Sequence, residues 1–314
     1  MNQNENNEIP VLEICDLCVS FQMYDGVLEQ KDLQVISNLT IHVYAGEILA
    51  IAGSSGSGKS LLASAILGIL PENASVTGEM RYDGQCMTPK MQEKLRGTEI
   101  ALVPQSAAYL DPLMKAGAQA DGHRKPRLTP KRKTLFRRFG LPDDTEGKYP
   151  FQLSGGMARR VLVSTALITD AKLIIADEPT PGMSPEQAME TLKLFREMAN
   201  EGKAVILITH DIDLAFEFAD RIAVFYAGTI VESAAASEFR AGPDALRHPY
   251  SKALWEALPQ NGFKAIDGFQ PYAGNLPQGC LFAPRCSRKT PKCGQEAPQM
   301  RELRGGEVRC FYAT

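Results

Sequence analysis

The sequence has neither a long hydrophobic run nor a strong net charge. No stretch approaches the roughly 20 apolar residues that a bilayer-spanning helix needs, and the polar residues 1–5 lack the character of a signal peptide. We therefore expect a cytosolic chain that meets a membrane only through a partner. A formal net charge of −3 gives no reason to expect a nucleic-acid-binding protein.

The 314 residues, 44% of them hydrophobic, suffice for one large domain or two modest ones with a sizeable core. Positive charge is concentrated in one stretch, which contains Arg124, Lys125, Arg127, Lys131, Arg132, Lys133, Arg137 and Arg138. Most such runs form solvated faces, and anionic lipid headgroups or a protein partner are the alternatives. Seven cysteines in a cytosolic chain argue against disulfides.

Residues 53–60 form a glycine-rich phosphate-binding loop (P-loop), Gly-Ser-Ser-Gly-Ser-Gly-Lys-Ser. The apolar runs before and after it predict a buried strand and a buried helix, which is the context that such a loop requires. Backbone N–H groups and the helix N-terminus then face an anion. Lys59 is expected to reach the β- and γ-phosphates of ATP, and the Ser60 hydroxyl a bridging Mg²⁺. The residues assigned to ATP here are Gly53, Ser54, Ser55, Gly56, Ser57, Gly58, Lys59, Ser60 and Leu61.

Three more apolar runs are predicted to be buried strands, at 99–103, 173–178 and 204–210. Their carboxyl ends carry Gln105, the pair Asp177 and Glu178, and His210, where open α/β sheets place ligand-contacting groups. Carboxylates at the tip of an apolar strand cost desolvation energy unless their charge is used. We therefore assign Asp177 to Mg²⁺ and Glu178 to activation of water. A lone terminal histidine is more often structural, but the other strand-end residues favour a functional His210.

A second anion-binding helix terminus is predicted at Ser154. Residues 153–157 read Leu-Ser-Gly-Gly-Met and open a helical run through Thr169. Ser154 is placed to cap this helix, and Gly155 and Gly156 allow close backbone approach. On its own, Ser-Gly-Gly before a helix is an ordinary cap.

Apolar and polar residues alternate over residues 11–21, near the N-terminus, and this pattern predicts a half-buried strand. Cys15 and Cys18 within it form a C-x2-C pair. Residues three apart on a strand point to opposite faces, so we expect core packing and no shared metal. Tyr24, exposed in the following turn, is a candidate platform on which a base stacks. Phe21 competes for that role, and a plain surface tyrosine is the alternative.

The pattern changes between Gln105 and Tyr149. This segment is basic, broken by prolines and helical only in short stretches such as 131–139, so it is interpreted as an insertion. Elsewhere the repeated alternation of strands and helices predicts an α/β fold with a mainly parallel sheet and short antiparallel additions.

Taken together in this order, the motifs resemble the ATP-binding subunits of ATP-binding-cassette (ABC) transporters. The resemblance covers about residues 11–260, and Leu-Ser-Gly-Gly is its most specific signature. Three features are similar to the oligopeptide, dipeptide and nickel importer branch: Ser-Gly-Gly-Met at 154–157, His-Pro-Tyr at 248–250 and Gly-Cys-Leu-Phe-Ala-Pro-Arg-Cys at 279–286.

The implied fold is that of a P-loop NTPase with an ABC-type ATPase core, an inserted helical subdomain and a Cys-rich C-terminal extension. The resemblance sets the nucleotide-binding domain at 1–260, the inserted subdomain at about 106–160 and the extension at 261–314.

In this family two ATPase subunits close face to face, and each ATP lies between one subunit's P-loop and the other's Ser-Gly-Gly helix terminus. The resemblance therefore assigns residues 154–156 to the nucleotide on the partner. It implies that Glu178 polarises the attacking water, that His210 contacts the γ-phosphate, and that Gln105 senses Mg²⁺ and touches the membrane-facing insertion. The implied catalytic set is Glu178, His210, Gln105 and Lys59, and the implied Mg²⁺ ligands are Ser60, Gln105 and Asp177.

One segment departs from the family pattern. After residues 178–180 the family usually has Ser-Ala-Leu-Asp or a similar sequence, which couples the two ATP sites. Residues 181–184 of this chain read Pro-Gly-Met-Ser. Ser184, Pro185 and Gln187 still predict a helix start with a capping box. The insertion is also short for this branch.

The tail carries four cysteines within about thirty residues, Cys280, Cys286, Cys293 and Cys310. It is rich in proline and arginine and has little capacity for its own core, so four thiols suggest a metal staple. The C-x2-C pair of a zinc knuckle is missing. Members of the resembling branch carry a cubane iron–sulfur (4Fe–4S) cluster on matching cysteines. A structural cluster, a zinc ion and reduced thiols are the open alternatives.

The resemblance implies an ATPase subunit that uses ATP and Mg²⁺ to drive import of oligopeptides or dipeptides through a separate membrane permease. Import of nickel or a metal chelate is the alternative. The implied partners are a second ATPase subunit, identical or more often different, two permease subunits and, through them, an extracytoplasmic solute-binding protein. The chain is then peripheral, at the cytoplasmic face of the cell membrane.

Two other classes of function are weighed against this one. A non-transport cassette ATPase of DNA repair or translation usually shows a coiled-coil insertion, a zinc-finger insertion or two cassettes, and this sequence has none of them. A degenerate regulatory module is disfavoured because Lys59, Glu178 and His210 are all in place.

Overall fold

The computed structural model describes residues 9–25, 29–54, 56–122 and 129–314. The strands are β1 (Leu12–Asp25), β2 (Glu29–Val43), β3 (Ile48–Ala52), β4 (Ala74–Tyr82), β5 (Gln85–Cys86), β6 (Ile100–Val103), β7 (Leu173–Asp177), β8 (Ala204–Thr209), β9 (Arg221–Tyr226), β10 (Thr229–Ala235), β11 (Arg301–Leu303) and β12 (Gly306–Val308). The α-helices are α1 (Lys59–Leu67), α2 (Pro89–Leu95), α3 (Ala116–Asp121), α4 (Thr129–Arg138), α5 (Gly155–Leu167), α6 (Pro185–Asn200), α7 (Ile212–Phe218), α8 (Ala236–Ala241), α9 (Pro249–Glu256) and α10 (Pro291–Gln295). Within these described ranges, no helix has both the length and the apolar character needed to cross a bilayer.

The chain divides into two compact units. The first takes in the described residues of Met1–His42, Leu49–Met87 and Thr209–Thr314. The second takes in Val43–Ile48 and Thr88–Ile208. The P-loop, His210 and the tail cysteines therefore belong to the first unit, and the other strand-end residues and the Ser-Gly-Gly motif to the second.

A four-stranded sheet in the order β2-β1-β4-β5 lies in the first unit. β4 pairs antiparallel with β1 and with β5. One face is apolar and buried, and β1 contributes Leu12, Ile14, Leu17 and Val19 to it. The outer face is polar and half-exposed. β1 extends beyond the predicted strand at its polar carboxyl end, where hydrophobic alternation gives no signal.

A β-bulge in β1 decides on which face its two cysteines lie. Cys15 aligns with Glu79 of β4 and Cys18 with Thr77, so the separation is three residues on β1 and two on β4. The bulged residue Asp16 has a φ of 48°. Residues two apart on a strand share a face, so both cysteines lie on the outer face and are half-exposed. The prediction that they point to opposite faces and pack in the core is wrong.

The first unit also contains a mixed set of strands that leads into the P-loop. β3 pairs parallel with β9, which forms an antiparallel hairpin with β10. β3 is buried over its whole length, and β9 and β10 nearly so, as their apolar runs predict. The tail adds β12 antiparallel to β10, and then β11 to β12. The tail thus gains regular structure by extending an existing sheet.

β6, β7 and β8 are parallel neighbours in the second unit. Every residue of β7 and β8 is buried. The observed strands differ from the predicted ones at 99–103, 173–178 and 204–210 by a single residue at one end. The sequence therefore predicted correctly where these strands end, which is what positions the polar residues that follow them.

Three residues in the described part of the basic stretch form close ion pairs within the second unit. Residues 123–128 lie outside the described part of the chain. The ion pairs that follow are Lys131–Asp170, Arg132–Asp121, Arg132–Glu146, Arg138–Glu190 and Arg138–Glu197. The two carboxylates beside Arg138 raise its pKa. Arg132 is buried in its ion pairs, whereas Lys133, Arg137 and Arg138 are exposed. The described part of this stretch is therefore mostly a solvated face, and its ion pairs also connect it to residues outside the insertion.

Candidate functional site

The loop between β3 and α1 requires glycine at two positions, for different reasons. Gly53 packs directly against β9, and a Cβ there would lie 2.3 Å from the Phe225 carbonyl oxygen. Gly58 precedes α1 with a φ of 105°, a conformation that other residues rarely adopt. The predicted strand, loop and helix are confirmed. Ser55 lies outside the described residues.

Two polar side chains of this loop are buried in the way a phosphate site needs. The Lys59 ammonium donates to the carbonyl oxygens of Gly53 and Ser54, at 2.8 Å each. The Ser57 Oγ is buried and has no hydrogen-bond partner among the described residues. A nucleotide phosphate fits here because it supplies both a counter-charge and the missing acceptor. Ser60 and Leu61 follow in the first turn of α1, and the Ser60 hydroxyl is the type of hard oxygen ligand that Mg²⁺ prefers.

The tail contacts the P-loop, which the sequence did not predict. The Ser54 hydroxyl donates to the Gln270 side-chain oxygen at 2.7 Å. Tyr250 lies beside Ser54, and burial raises the pKa of this tyrosine to about 12. The Arg285 guanidinium fixes the segment before Gln270 by donating to the carbonyl oxygens of residues 266–267, at 3.0 and 2.8 Å. Gln270 lies in an irregular stretch, so no periodicity pointed to it.

His210 directly follows β8 and is exposed. The turn that carries it is fixed on both sides. The Asp211 N–H donates to the Thr209 hydroxyl at 2.9 Å, and the Asp211 carboxylate accepts from Leu214 N–H to cap α7. A capped turn holds the imidazole at the strand end, where the sequence placed it.

Asp177 and Glu178 are both buried at the end of β7. Glu178 has a φ of 47°, and its N–H donates to the Ile208 carbonyl oxygen of β8 at 2.9 Å. A non-glycine residue held in this region costs about 1–3 kcal/mol, and such strain is concentrated at functional sites. The strain therefore supports the assignment of Glu178 to chemistry. The Asp177 carboxylate is, like the Ser60 hydroxyl, a suitable Mg²⁺ ligand.

Arg159 of α5 ties together the chain segments that carry Gln105 and Glu178. Its buried guanidinium donates to the carbonyl oxygens of Pro104 (2.9 Å), Gln105 (2.6 Å), Pro179 (3.1 Å) and Glu178. Burial lowers the pKa of Arg159, and the carboxylates of Asp177 and Glu178 oppose that shift. One buried cation thus fixes the backbone after β6 and after β7. The Gln105 side chain itself is exposed.

The Ser-Gly-Gly motif forms the predicted helix terminus. The Ser154 hydroxyl accepts from Met157 N–H at 3.3 Å as the N-cap of α5. Ser154 and Gly155 are exposed. A Cβ at Gly156 would lie 3.3 Å from the Gly182 carbonyl oxygen. The unusual segment 181–184 therefore lies directly against the start of α5.

The helix start after that segment is also confirmed. Ser184 caps α6, and a capping box with Gln187 is present. Tyr24 lies at the end of β1, not in a turn, and is 73% exposed. Its hydroxyl accepts from the Gln30 side-chain amide at 3.3 Å.

The four tail cysteines line one cavity together with His248, Phe282 and Tyr312. No three of their sulfur atoms lie within 4.8 Å of one another. A tetrahedral zinc ion would bring four thiolates to about 3.8 Å from one another. Thiolates around a cubane cluster stand farther apart, because four iron atoms lie between them. The four sulfur atoms are therefore not arranged as in a preformed tetrahedral zinc site.

The backbone holds these cysteines close to one another. Cys280 N–H donates to the Cys293 carbonyl oxygen at 2.8 Å. A Cβ at Gly279 would lie 2.3 Å from that same oxygen, so the approach requires glycine. Burial raises the pKa of Cys280 and of Cys286.

Comparisons with known proteins place these features in a family. A family model described as "ABC transporter" matches residues 36–181, and one described as "Oligopeptide/dipeptide transporter, C-terminal region" matches residues 231–293. The oligopeptide transport ATP-binding protein OppD of Haemophilus influenzae is 32% identical over 97% of this chain and 98% of its own. The dipeptide transport ATP-binding protein DppD of Escherichia coli is 33% identical over 90% of this chain and 92% of its own.

Among solved structures, a dimeric post-hydrolysis state of the ATP-binding cassette MJ0796 bound to ADP and Pi is similar. It has a TM-score of 0.63 and 25% identity, over 72% of this chain and 98% of that chain.

Proposed function

Because the chain belongs to the ATP-binding proteins of ABC transporters, in the oligopeptide and dipeptide group, we propose that it hydrolyses ATP to drive peptide import. The import path is a separate membrane permease. The observation that carries the proposal is the P-loop, where a buried Lys59 ammonium and an unpartnered Ser57 hydroxyl face a backbone cradle. Such a site takes the phosphates of a nucleotide.

The site residues divide the work of hydrolysis by their chemistry. When a nucleotide binds, the Lys59 ammonium donates to phosphate oxygens in place of the loop carbonyl oxygens. Ser60, Asp177 and Gln105 are the residues that would hold Mg²⁺, and the ion would supply charge neutralisation for the phosphates. Glu178 polarises the attacking water, and His210 contacts the γ-phosphate. Catalysis of this kind consists of positioning and electrostatic stabilisation.

A second ATPase subunit completes the assembly. Ser154 and Gly155 are exposed at the N-terminus of a thirteen-residue helix. This supports their assignment, with Gly156, to a nucleotide held by that second subunit. Tyr24 is exposed and available to stack on a base.

The permease contact is assigned to the insertion. The exposed large apolar side chains of the second unit's described residues are Tyr109, Leu113 and Phe151. All three lie between Gln105 and Ser154, and exposed apolar side chains of this size mark interaction surfaces. We infer that two permease subunits dock here and hold the chain at the cytoplasmic face of the membrane. The solute-binding protein acts through the permease.

The domain boundaries follow the same assignment. The nucleotide-binding domain is 1–260, with the helical subdomain at about 106–160, and the extension is 261–314. In this extension Cys280, Cys286, Cys293 and Cys310 hold a 4Fe–4S cluster that is structural, because four buried or half-buried thiols share one cavity.

Iron and acid-labile sulfide content test the cluster after purification without oxygen. We expect about four iron and four sulfide ions per chain, and we expect Cys286→Ser to lose both. Cys86→Ser, at an exposed cysteine distant in sequence from the tail, is the control and should retain both. One zinc per chain without sulfide, or metal-free thiols, would reject the cluster and leave the ATPase proposal intact.

Steady-state ATP hydrolysis tests the main proposal. The chain is assayed alone and mixed with the ATPase subunit encoded beside it. Glu178→Gln should still bind ATP but lose about 100- to 1,000-fold in turnover, because one preorganised contact to the reacting water is removed. Glu217→Gln, an exposed glutamate, is the matched control. Near-normal turnover in Glu178→Gln would remove Glu178 from the mechanism. Turnover only in the mixture would establish a heterodimer.

A further inference from the structure

The outer face of the four-stranded sheet brings together three residues with different metal-binding groups. Glu13 and Cys15 lie two apart on β1, and His42 lies on β2. One carboxylate oxygen, the thiol sulfur and one imidazole nitrogen all lie within 4.8 Å of one another. No other group of three histidine, cysteine or acidic residues in the described part of the chain meets this criterion.

The carboxylate and imidazole atoms are spaced like two ligands of one ion, and the thiol sulfur lies within 4.8 Å of both. His42 Nε2 and Glu13 Oε1 are 3.5 Å apart, which is longer than a good hydrogen bond. In a tetrahedral zinc site, metal–ligand distances of about 2.0–2.3 Å place the ligand atoms about 3.3–3.6 Å from one another. The carboxylate and the imidazole therefore stand at the separation that a shared ion imposes, with little rearrangement needed.

The charges around this group favour a cation. The carboxylates of Glu13, Asp16 and Glu79 all act on Cys15. Two arginines lie nearby: Arg81 pairs with Glu79 at 2.8 Å and approaches Glu13 only to 4.0 Å, and Arg309 interacts with Asp16. The surroundings therefore keep an excess of negative charge that a divalent ion would offset.

The burial of these residues is intermediate. Glu13 is 29% exposed and His42 is 27% exposed, so the ligands are partly desolvated while one side stays open to solvent. That openness leaves a fourth coordination position for water or another ligand. A cross-strand ion pair would account for Glu13 and His42, and the Cys15 thiol hydrogen-bonds the same Glu13 carboxylate, so the three groups meet at one point.

We propose that Glu13, Cys15 and His42 form a binding site for a divalent transition-metal ion, with Zn²⁺ as the best fit. A thiolate, an imidazole and a carboxylate form a ligand set typical of zinc, whereas Mg²⁺ and Ca²⁺ select oxygen ligands. The bound ion links β1 to β2 on the outer face of the sheet. The site is separate from the tail cysteines and does not depend on the proposed transport function.

The β-bulge is what makes the site available. It places Cys15 on the outer face with Glu13 and also leaves Cys18 on that face. The Cys18 sulfur already has a partner, because it accepts from Asn38 N–H at 3.3 Å. Cys18 therefore serves as a matched control three residues from the proposed ligand.

Cobalt is the probe because Co²⁺ takes zinc sites and shows absorption from thiolate-to-metal charge transfer. The full-length chain is titrated with Co²⁺ and then with Zn²⁺ in competition, for the parent protein, Cys15→Ser, His42→Gln and Cys18→Ser. We expect the parent protein to show the charge-transfer band of one Co²⁺ per chain bound at this site, and we expect that band to be absent in Cys15→Ser. Both ligand variants should weaken Zn²⁺ binding by at least about 100-fold, since loss of a mere outer-shell partner already costs 10- to 100-fold. The tail cysteines are the same in all four proteins and contribute equally.

Zn²⁺ should also raise the unfolding midpoint of the parent protein and of Cys18→Ser by more than that of the two ligand variants, in which only the shared contribution of the tail cysteines is left. Equal Co²⁺ spectra and Zn²⁺ affinities in all four proteins would overturn the proposal. So would a loss in Cys18→Ser as large as that in Cys15→Ser. Binding that needs Cys15 but is unchanged in His42→Gln would reject the three-ligand site.

Discussion

Arg159 connects the two backbone turns that carry Gln105 and Glu178. Its guanidinium offers five N–H donors in a fixed plane, and five carbonyl oxygens, including that of Asp177 at 3.5 Å, accept from it. It touches neither nucleotide nor water in the proposed reaction. We therefore describe it as a positioning residue, whose effect on rate passes through the backbone of other residues.

Replacing Arg159 should slow hydrolysis more than it weakens ATP binding. Arg159→Met keeps an unbranched apolar stem but leaves the carbonyls without donors, so we expect kcat to fall about 10- to 100-fold, the cost of small misplacements of reacting groups. Arg159→Lys should recover part of this loss. Arg137→Met, a largely exposed arginine, is the control. A drop in thermal stability with unchanged kcat would show that Arg159 is only structural.

The contrast between Arg159 and the strand-end residues shows what this sequence can predict. Gln105, Asp177 and His210 follow apolar runs, so the end of each run predicts their position. Arg159 lies within a helix, and its acceptors come from two distant segments. The partners of such a side chain are set by tertiary packing, which hydrophobic periodicity does not encode. The charged residue on a buried helix face was the only signal.

The bulge in β1 is a similar case among the elements. Strict alternation places Cys15 and Cys18 on opposite faces, and the sequence contains no glycine or proline between them to mark an irregularity. The bulge is stabilised by its partner strand, so a local pattern could not predict it. The strand itself was predictable, because most of its apolar residues lie on the buried face and its polar residues on the other.

The segment around Gln270 links the tail to the P-loop. Arg285 lies one residue before Cys286 and holds residues 266–267, while Gln270 accepts from Ser54. The tail therefore contributes to the conformation of the nucleotide-binding loop and not only to its own cysteine site.

Gln270→Ala should weaken ATP binding without abolishing hydrolysis. A hydrogen bond contributes about 0.5–1.5 kcal/mol, so the dissociation constant of ATP should rise about 2- to 10-fold while saturating turnover stays within twofold. Fluorescent nucleotide titration measures this. Gln299→Ala, an exposed glutamine of the same tail, should leave the constant unchanged. Equal affinities in the two variants would show that the contact does not shape the loop.

The start of α9 rests on a buried polar network. The Glu232 carboxylate accepts from the backbone N–H groups of Arg247 and His248, both at 2.8 Å. The His248 Nδ1 accepts from Tyr250 N–H at 3.0 Å and caps the helix. Burial lowers the pKa of His248 to about 3. This histidine is therefore neutral in the folded chain at every physiological pH.

His248 should make the protein sensitive to acid. The unfolded chain binds a proton here below pH 6.5, and the folded chain does not until about pH 3, so stability is lost as the pH falls between these values. Relative to His248→Asn, which retains an N-cap, the parent should lose about 2 kcal/mol of unfolding free energy between pH 7.5 and 5. Urea unfolding at several pH values measures this. Parallel pH profiles of the two proteins would contradict the prediction, and His210→Asn controls for an exposed histidine.

Both units of the molecule expose large apolar side chains. In the first unit some of the exposed large apolar residues, among them Phe263, Phe269 and Tyr272, lie on the tail, and others, such as Tyr24 and Val76, lie on the four-stranded sheet. In the second unit the corresponding residues lie on the insertion. The family resemblance identified the cassette and its extension from motifs alone. It could not identify which side chains of the insertion are exposed, because exposure depends on how its short helices pack.

Leu113 is the most exposed of the insertion's apolar residues, at 86%, and it tests whether this surface meets the permease. Leu113→Asp should leave ATP hydrolysis by the isolated ATPase subunits unchanged, because the side chain makes no contribution to a folded core. In reconstituted transporter, an aspartate placed in an apolar contact should reduce peptide uptake and permease-stimulated hydrolysis by about tenfold or more. Phe263→Asp, equally apolar and 75% exposed on the tail, should retain both activities. If Leu113→Asp transports normally while Phe263→Asp does not, the permease contact lies on the tail and the insertion has another role.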